Sequence, residues 1–178
     1  MQDEESLVQR AKEYDEAALT QLYEENFDKI YRYIVLKIGD RTEAEDMTQQ
    51  VFLKAFKSIS GYRLKGRPFS SWLFRIAHNQ VVDHWRKKSK RPTVPLEETF
   101  IGSSNSNPSS ETERKMDIEN LVAATKQLTS LQREVVSLRF AGGLSVAQVA
   151  RLMGKNEGAI KALQHSAVVS LRRMLAMG

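Results

Sequence analysis

Apolar residues recur at three- and four-residue steps along most of this chain. From Leu19 through Leu22, Tyr23, Phe27, Ile30, Tyr31, Ile34 and Val35 to Ile38 they form one stripe, which predicts a long helix. Gly39 stops it, and Asp40, three residues before Glu43, supplies a capping arrangement for the next helix. Ala44, Met47, Val51, Phe52, Ala55, Phe56 and Ile59 line one side of that second helix, and Ser60-Gly61 ends it. A basic loop from Tyr62 to Pro68 leads into a third helix, from near Ser70 to Lys88. Its apolar face is Trp72, Leu73, Ile76, Ala77 and Val81; its other face shows Arg75, His78, Asn79, Asp83 and Arg86. A short helix around Leu7 to Tyr14 precedes the three.

The pattern breaks over residues 92–112, which are rich in Pro, Ser and Asn. Such a stretch buries too little apolar surface to offset its ordering entropy, so it reads as a flexible linker, with Leu96, Phe100 and Ile101 as a local anchor. Helical spacing resumes over Glu113 to Thr125 and Ser130 to Phe140. Ala141-Gly142-Gly143 then makes a turn, followed by a short helix from Ser145 to Met153, a turn at Gly154-Lys155-Asn156, and a last helix from Glu157 to Ala176. Val146, Val149, Ala150 and Leu152 can pack inward from the short helix, and Ile160, Leu163, Ala167, Leu171 and Met174 (or Leu175) from the last. Ser145 and Asn156 stand where N-caps are wanted. The expected fold class is all-α: two small helical domains, 1–91 and 113–178, joined by a flexible linker, the C-terminal one a helix-turn-helix.

Charge sharpens this division. Residues 1–60 carry a net −5, residues 61–91 a net +8, residues 92–120 a net −4 and residues 121–178 a net +6. Two basic blocks separated by an acidic one point to polyanion surfaces. The 178 residues include no cysteine, which removes disulfides, thiolate metal sites and a cysteine nucleophile. No apolar run approaches the roughly 18 residues of a membrane span. The segment Met1 to Arg10 is acidic and polar, unlike a secretory signal. A cytoplasmic location without membrane insertion is expected.

A helix-turn-helix sets the start of its second helix against base edges in the major groove. Here those residues are Asn156, Glu157, Gly158, Lys161, Ala162 and His165. Glu can accept from cytosine N4 and Lys can donate to guanine. Arg172 and Arg173 come further along, where phosphates lie. In the first domain a basic loop feeds a helix carrying Trp72, Arg75, His78, Asn79, Asp83, Trp85 and Arg86. Aromatics interleaved with cations suit unpaired bases, which stack on rings while phosphates meet charge. Trp72 lies in the apolar stripe and reads as core; Trp85 lies off it. No HExxH, Walker A or GxSxG motif is present, and the three histidines have no metal-ligand spacing. No catalytic residue, metal or cofactor is expected.

Three ordered segments resemble bacterial RNA polymerase sigma factors. Ala44 to Phe56 is similar to their core-polymerase-binding helix. Phe69 to Asn79, with Asp83, Arg86 and the Lys/Arg tail after it, resembles their promoter-melting and −10-recognition region. Leu128 to Leu175 resembles their −35-reading domain. Order and spacing resemble the extracytoplasmic-function (ECF) group of the sigma-70 family. The resemblance implies that Glu45, Asp46, Gln49, Gln50 and Phe52 dock on the clamp helices of the polymerase largest subunit, with the flap as a second contact. It implies that the loop of Tyr62, Arg63, Lys65 and Arg67 makes a pocket for a flipped base, where extrusion costs a few kcal/mol and pocket contacts select the sequence melted. Arg75, His78, Asn79, Asp83, Arg86 and Lys87 would meet the −10 element, with Lys88, Lys90 and Arg91 on phosphates. Ser145, Lys155, Asn156, Glu157, Gly158, Lys161, Ala162 and His165 would meet the −35 element. The linker, acidic at Glu97, Glu98, Glu111 and Glu113, would thread into a basic channel of the polymerase. The family's relatives more often carry Glu where this chain has Gln50, and basic residues where it has Ser166 and Val168. An anti-sigma factor is an implied partner beside core polymerase and promoter DNA. A rival reading is a free-standing helix-turn-helix regulator with the first domain as a ligand or dimerisation module; a nucleic-acid-modifying enzyme is a third.

Overall fold

In the computed structural model, which describes residues 3–63, 67–90 and 119–176, every regular element is a helix. The linker expected over 92–112, with its proposed anchor and the helix start at Glu113, lies outside the described residues, as do Lys65 and Arg91. The first region holds α1 (Glu4–Lys12), α2 (Glu16–Ile38), α3 (Arg41–Ser58) with a 3-10 turn (Ile59–Gly61), and α4 (Phe69–Lys90). Local chemistry sets these bounds. Gly39 takes the left-handed conformation at φ 80° that ends α2. The Asp40 carboxylate accepts from the Glu43 N–H at 3.0 Å and starts α3, a cap of about 1 kcal/mol. The start of α4 is served from far away in sequence: Glu4 of α1 accepts from the Phe69 N–H at 3.2 Å. No helix among the described residues is long and apolar enough to cross a membrane.

The second region holds α5 (described over residues 119–125), α6 (Ser130–Val136), α7 (Val146–Met153) and α8 (Glu157–Ala176). Two reciprocal capping boxes open α6 and α7, Thr129 with Gln132 and Ser145 with Gln148. Asn156 accepts from the Ala159 N–H at 2.8 Å and caps α8. The expected helix over Ser130 to Phe140 is two things. After α6 it widens into a π turn, Ser137–Ala141, in which the Gly142 N–H reaches back to the Ser137 carbonyl at 3.0 Å. Arg139 braces this turn, donating to the Leu144 carbonyl at 2.6 Å and to Gln164 of α8 at 2.9 Å. On α8, Ile160 and Ala167 are buried, Leu163, Leu171 and Met174 are partly buried, and Leu175 is exposed, which settles the choice between the last two.

The two regions share one core. Helix α2 runs through its centre, with α1, α3 and α4 on the stripe the sequence shows. Tyr33 and Leu36 lie off that stripe and are buried all the same, because α6 and the π turn pack on the other side of α2. Phe74, which belongs to neither expected face of α4, is fully buried. The reason is Gly142: a Cβ there would stand 2.8 Å from the Phe74 ring, so only a glycine lets the turn come this close. Leu138, Leu144, Val149 and Ile160 join the same apolar cluster as Leu73, Ala77 and Ile34.

Candidate nucleic-acid and protein interfaces

Helix α3 presents Glu45, Asp46, Gln49 and Gln50 to solvent at helical spacing, on the side away from its buried stripe. Phe52 is not on that surface. It is 2% exposed and set among Tyr23, Phe27 and Phe56, with the Tyr23 ring edge-on at 4.9 Å. Its place in the apolar stripe decides its position, and it serves the core. The hydrophobe that α3 does expose is its neighbour Leu53, at 60%, one turn after Gln49. The Gln50 side chain accepts from Gln80 of α4 at 2.6 Å, so it also ties α3 to α4. On the same seam His84 faces Glu43 at 3.3 Å.

Where the basic loop meets α4 there is a cavity of about 570 Å³. Arg63, Arg67 and Arg75 give it positive charge, while Tyr62 and Trp72 give it ring surface. The rings are ordered by packing: Tyr62 lies 4.6 Å from Trp72 at 30° and edge-on to Phe69 at 5.5 Å. Trp72 is thus half core and half cavity wall. The Tyr62 hydroxyl is buried with no partner among the described residues, an unpaired donor beside the cavity. Burial, with the Glu4 carboxylate nearby, raises the Tyr62 phenol above its ordinary pKa, which keeps it protonated. Cations, a free donor and ring faces are what an extruded base and its phosphate require.

Further along α4, Arg75, Asn79, Asp83, Arg86 and Lys87 are exposed. Asp83 and Arg86 face each other at 3.8 Å. Trp85 is 40% exposed, with His84 edge-on at 5.3 Å and Lys88 Nζ 5.3 Å from its ring centroid. His78 differs from its neighbours. Its Nδ1 lies 3.0 Å from Glu134 of α6 and 3.3 Å from the Tyr33 hydroxyl. A carboxylate only accepts, so this geometry assigns a proton to Nδ1. His78 is therefore engaged with the second region rather than free on the α4 face.

Glu134 is the residue that sequence reasoning missed. Its side chain is 7% exposed and takes the Tyr33 O–H at 2.7 Å, the His78 N–H and the Lys37 ammonium. Burial alone would push its carboxyl pKa up. The His78 hydrogen bond, the Lys37 charge and hydrogen bond and the Tyr33 hydrogen bond outweigh that and hold it at about 2. Burial, then the charge and hydrogen bond of Glu134, raise the Tyr33 phenol well above its usual value. A lone Glu in a helix of mixed polarity carries no mark of burial; its partners come from two other helices.

In the second region α7 and α8 meet through a tight turn whose Gly154 is left-handed at φ 67°. Ser145, Lys155, Asn156, Glu157, Gly158, Lys161, Ala162 and His165 are all exposed. They lie at the starts of α7 and α8 and along the first turns of α8, the part of a helix-turn-helix that enters a major groove. Ser145 and Asn156 are also the caps of these helices, so their side-chain oxygens are occupied by backbone N–H groups.

Comparison with known proteins agrees with this layout. The family described as Sigma-70 region 2 matches residues 22–91, and Sigma-70 region 4 matches residues 124–173. The ECF RNA polymerase sigma factor BldN of Streptomyces coelicolor is 40% identical over 170 residues, 95% of this chain and 64% of BldN, so the chain spans just under two thirds of that relative. The ECF RNA polymerase sigma factor SigL of Mycobacterium tuberculosis is 32% identical over 161 residues, 90% of each protein. The structure of CnrH in complex with the cytosolic domain of CnrY shares the fold, with a TM-score of 0.73 at 19% identity, covering 98% of this chain and 97% of that one.

Proposed function

The chain belongs to the sigma-70 family, among its ECF sigma factors, and from that premise we propose that it is an alternative initiation subunit of bacterial RNA polymerase. It binds core polymerase, reads two promoter elements with two helical regions and helps to open the duplex, without covalent chemistry of its own. The first region, residues 1–91, docks on the polymerase and holds the −10 element. The second, residues 113–178, reads the −35 element, and residues 92–112 connect them within the enzyme.

One observation carries the reading. The same chain presents, in order, a polar α3 face, a cationic aromatic-lined cavity and an exposed helix-turn-helix start. A free-standing regulator would need only the last and would leave the match over residues 22–91 without a purpose. Glu45, Asp46 and Gln49 with the exposed Leu53 form the docking patch, an apolar anchor ringed by polar groups. The cavity takes a base extruded from the non-template strand, Trp72 and Tyr62 offering ring surface and Arg63, Arg67 and Arg75 charge. Lys161 and Glu157 meet −35 base edges. The protein works in the cytoplasm beside its polymerase and is held in check there by an anti-sigma partner.

Co-migration with core RNA polymerase on a sizing column tests this. A stable complex is expected, weakened by Asp46→Arg and by Leu53→Asp, both at exposed positions that leave the core intact. Absence of a complex at micromolar concentration, with folded protein, would refute it.

A further inference from the structure

We propose that Glu4 of α1 is a positioning residue for the base cavity: its carboxylate holds the first turn of α4, and with it the cavity's aromatic wall, in the form that takes an extruded base. The inference deepens the sigma-factor reading and rests on its assignment of that cavity.

The need for an outside group follows from the sequence. Pro68 stands just before α4, which opens on Phe69, Ser70 and Ser71. Proline has no side-chain oxygen to accept from the first-turn N–H groups, and that turn holds no acidic residue to meet the positive end of the helix dipole. The Ser71 N–H finds the Pro68 carbonyl at 3.1 Å. The Phe69 N–H, an orphan donor of the first turn, donates to Glu4 at 3.2 Å, across 65 residues of sequence. One carboxylate thus supplies both the acceptor and the negative charge that the start of α4 lacks. Glu4 is itself well held. It stands on α1, whose Leu7, Val8 and Ala11 are buried in the same apolar cluster as Ile59, Tyr62 and Phe69.

That end of α4 is also a wall of the cavity, which Pro68, Ser71, Trp72 and Arg75 line together with Tyr62. Both cavity rings pack on the residue whose N–H Glu4 holds: Phe69 is fully buried, 5.6 Å from the Trp72 ring and 5.5 Å from Tyr62, which meets it edge-on. A shift of the first turn moves Phe69, and both rings follow. The Glu4 carboxylate lies near Tyr62 as well, where its charge adds to burial in raising the phenol pKa. It therefore stands beside both parts of the cavity, the turn after α3 and the start of α4. Towards a nucleic acid its charge is unfavourable, since it repels the phosphates that Arg63, Arg67 and Arg75 attract. What it contributes to binding a base is geometry. The two effects separate chemically: an amide in its place keeps the acceptor and removes the charge.

Holoenzyme assembled on core polymerase tests this. The probe is a fluorescent non-template −10 strand, selected by the unaltered holoenzyme from a randomised pool. An abasic site is walked through it, and anisotropy gives the affinity at each step. The position where the abasic site weakens binding most marks the extruded base, and the intact-to-abasic affinity ratio there measures the cavity alone. Glu4→Ala is expected to lower that ratio by about five-fold, the equilibrium equivalent of one helix cap, while the abasic strand binds at least as well as before. Glu4→Gln should restore most of the ratio. Glu5→Ala, exposed on the same helix and removing the same charge, should leave it unchanged. A ratio undiminished in Glu4→Ala overturns the proposal, as does one lost equally in Glu4→Gln or in Glu5→Ala. Should Glu4→Ala lose helicity by circular dichroism, Glu4→Asp keeps the charge and shortens the reach by one methylene; an unchanged ratio there overturns the proposal too. If the unaltered holoenzyme shows no position-dependent loss, the cavity reading fails and this proposal with it. A loss that survives Glu4→Ala refutes this proposal alone.

Discussion

Acidification should dissolve the contact between the two regions, and the structure sets the scale. The Glu134 carboxyl titrates at about 2 in the folded chain against an ordinary 4.5. At roughly 1.4 kcal/mol per pKa unit, ionised Glu134 contributes about 3 kcal/mol to the folded form at neutral pH. The sign follows from the depressed pKa. The contribution is complete above the unfolded value near 4.5 and is lost as pH falls towards 2, because the unfolded chain then binds a proton that the folded chain refuses. The perturbation is Glu134→Gln, which keeps the shape and removes the titration. Urea unfolding followed by circular dichroism, repeated from about pH 7 down to about pH 2.5, gives two stability curves. Every other carboxylate contributes equally to both. The expected result is a gap of a few kcal/mol at neutral pH that closes by about 3 kcal/mol across the acid range. Curves that stay parallel within about 0.5 kcal/mol would show that the carboxylate is not held ionised by Lys37, His78 and Tyr33, and the reasoning fails.

Neighbouring residues on α3 should behave oppositely. Phe52→Ala, in the core, should cost about 3–5 kcal/mol in urea unfolding, whereas Leu53→Asp should leave the melt nearly unchanged and weaken polymerase co-migration. Ser145→Ala removes one half of a capping box and should lower stability by about 1 kcal/mol in the same measurement. Tyr62→Phe deletes a hydroxyl that has no partner among the described residues, so stability should hold within about 0.5 kcal/mol; binding of a non-template −10 oligonucleotide to the holoenzyme, read by fluorescence anisotropy, should weaken. Lys161→Ala should weaken −35 duplex binding by about 1–3 kcal/mol if it reads a base and should relax preference at that position; a uniform loss across sequences would assign Lys161 to phosphate instead.

Helix positions and ends were legible because their causes are local. Asp40, Gly39 and Ser145 act within four residues of themselves, and the stripe from Leu19 to Ile38 needs only the period of one helix. Phe52 shows the same period outweighing family likeness: residue 52 falls in the stripe and so faces inward, and exposure passes to residue 53. The docking of one region on the other was not legible. Tyr33 and Glu134 are 101 residues apart in the chain, and no local pattern links them. Phe74 sits between the two faces of its helix, and its burial depends on a glycine in another region. The candidate −35 residues were read from a supersecondary rule, which is why they emerge together at the exposed starts of two helices. The cavity at Tyr62 was expected only through resemblance; that the hydroxyl is buried and unpaired among the described residues is a three-dimensional fact.

The π turn at Ser137–Ala141 holds one residue more than an α-helical path between the same ends would need. Each residue advances an α-helix by about 100°. Deleting one of the five would let α6 run on as an ordinary helix between the same ends, with Gly142 still facing Phe74, whereas deleting a residue of α6 itself would turn Gly142 by that angle away from it. The wide turn takes up one residue without changing how the two regions face each other, and the register of α6, rather than the composition of either surface, sets the angle at which they meet.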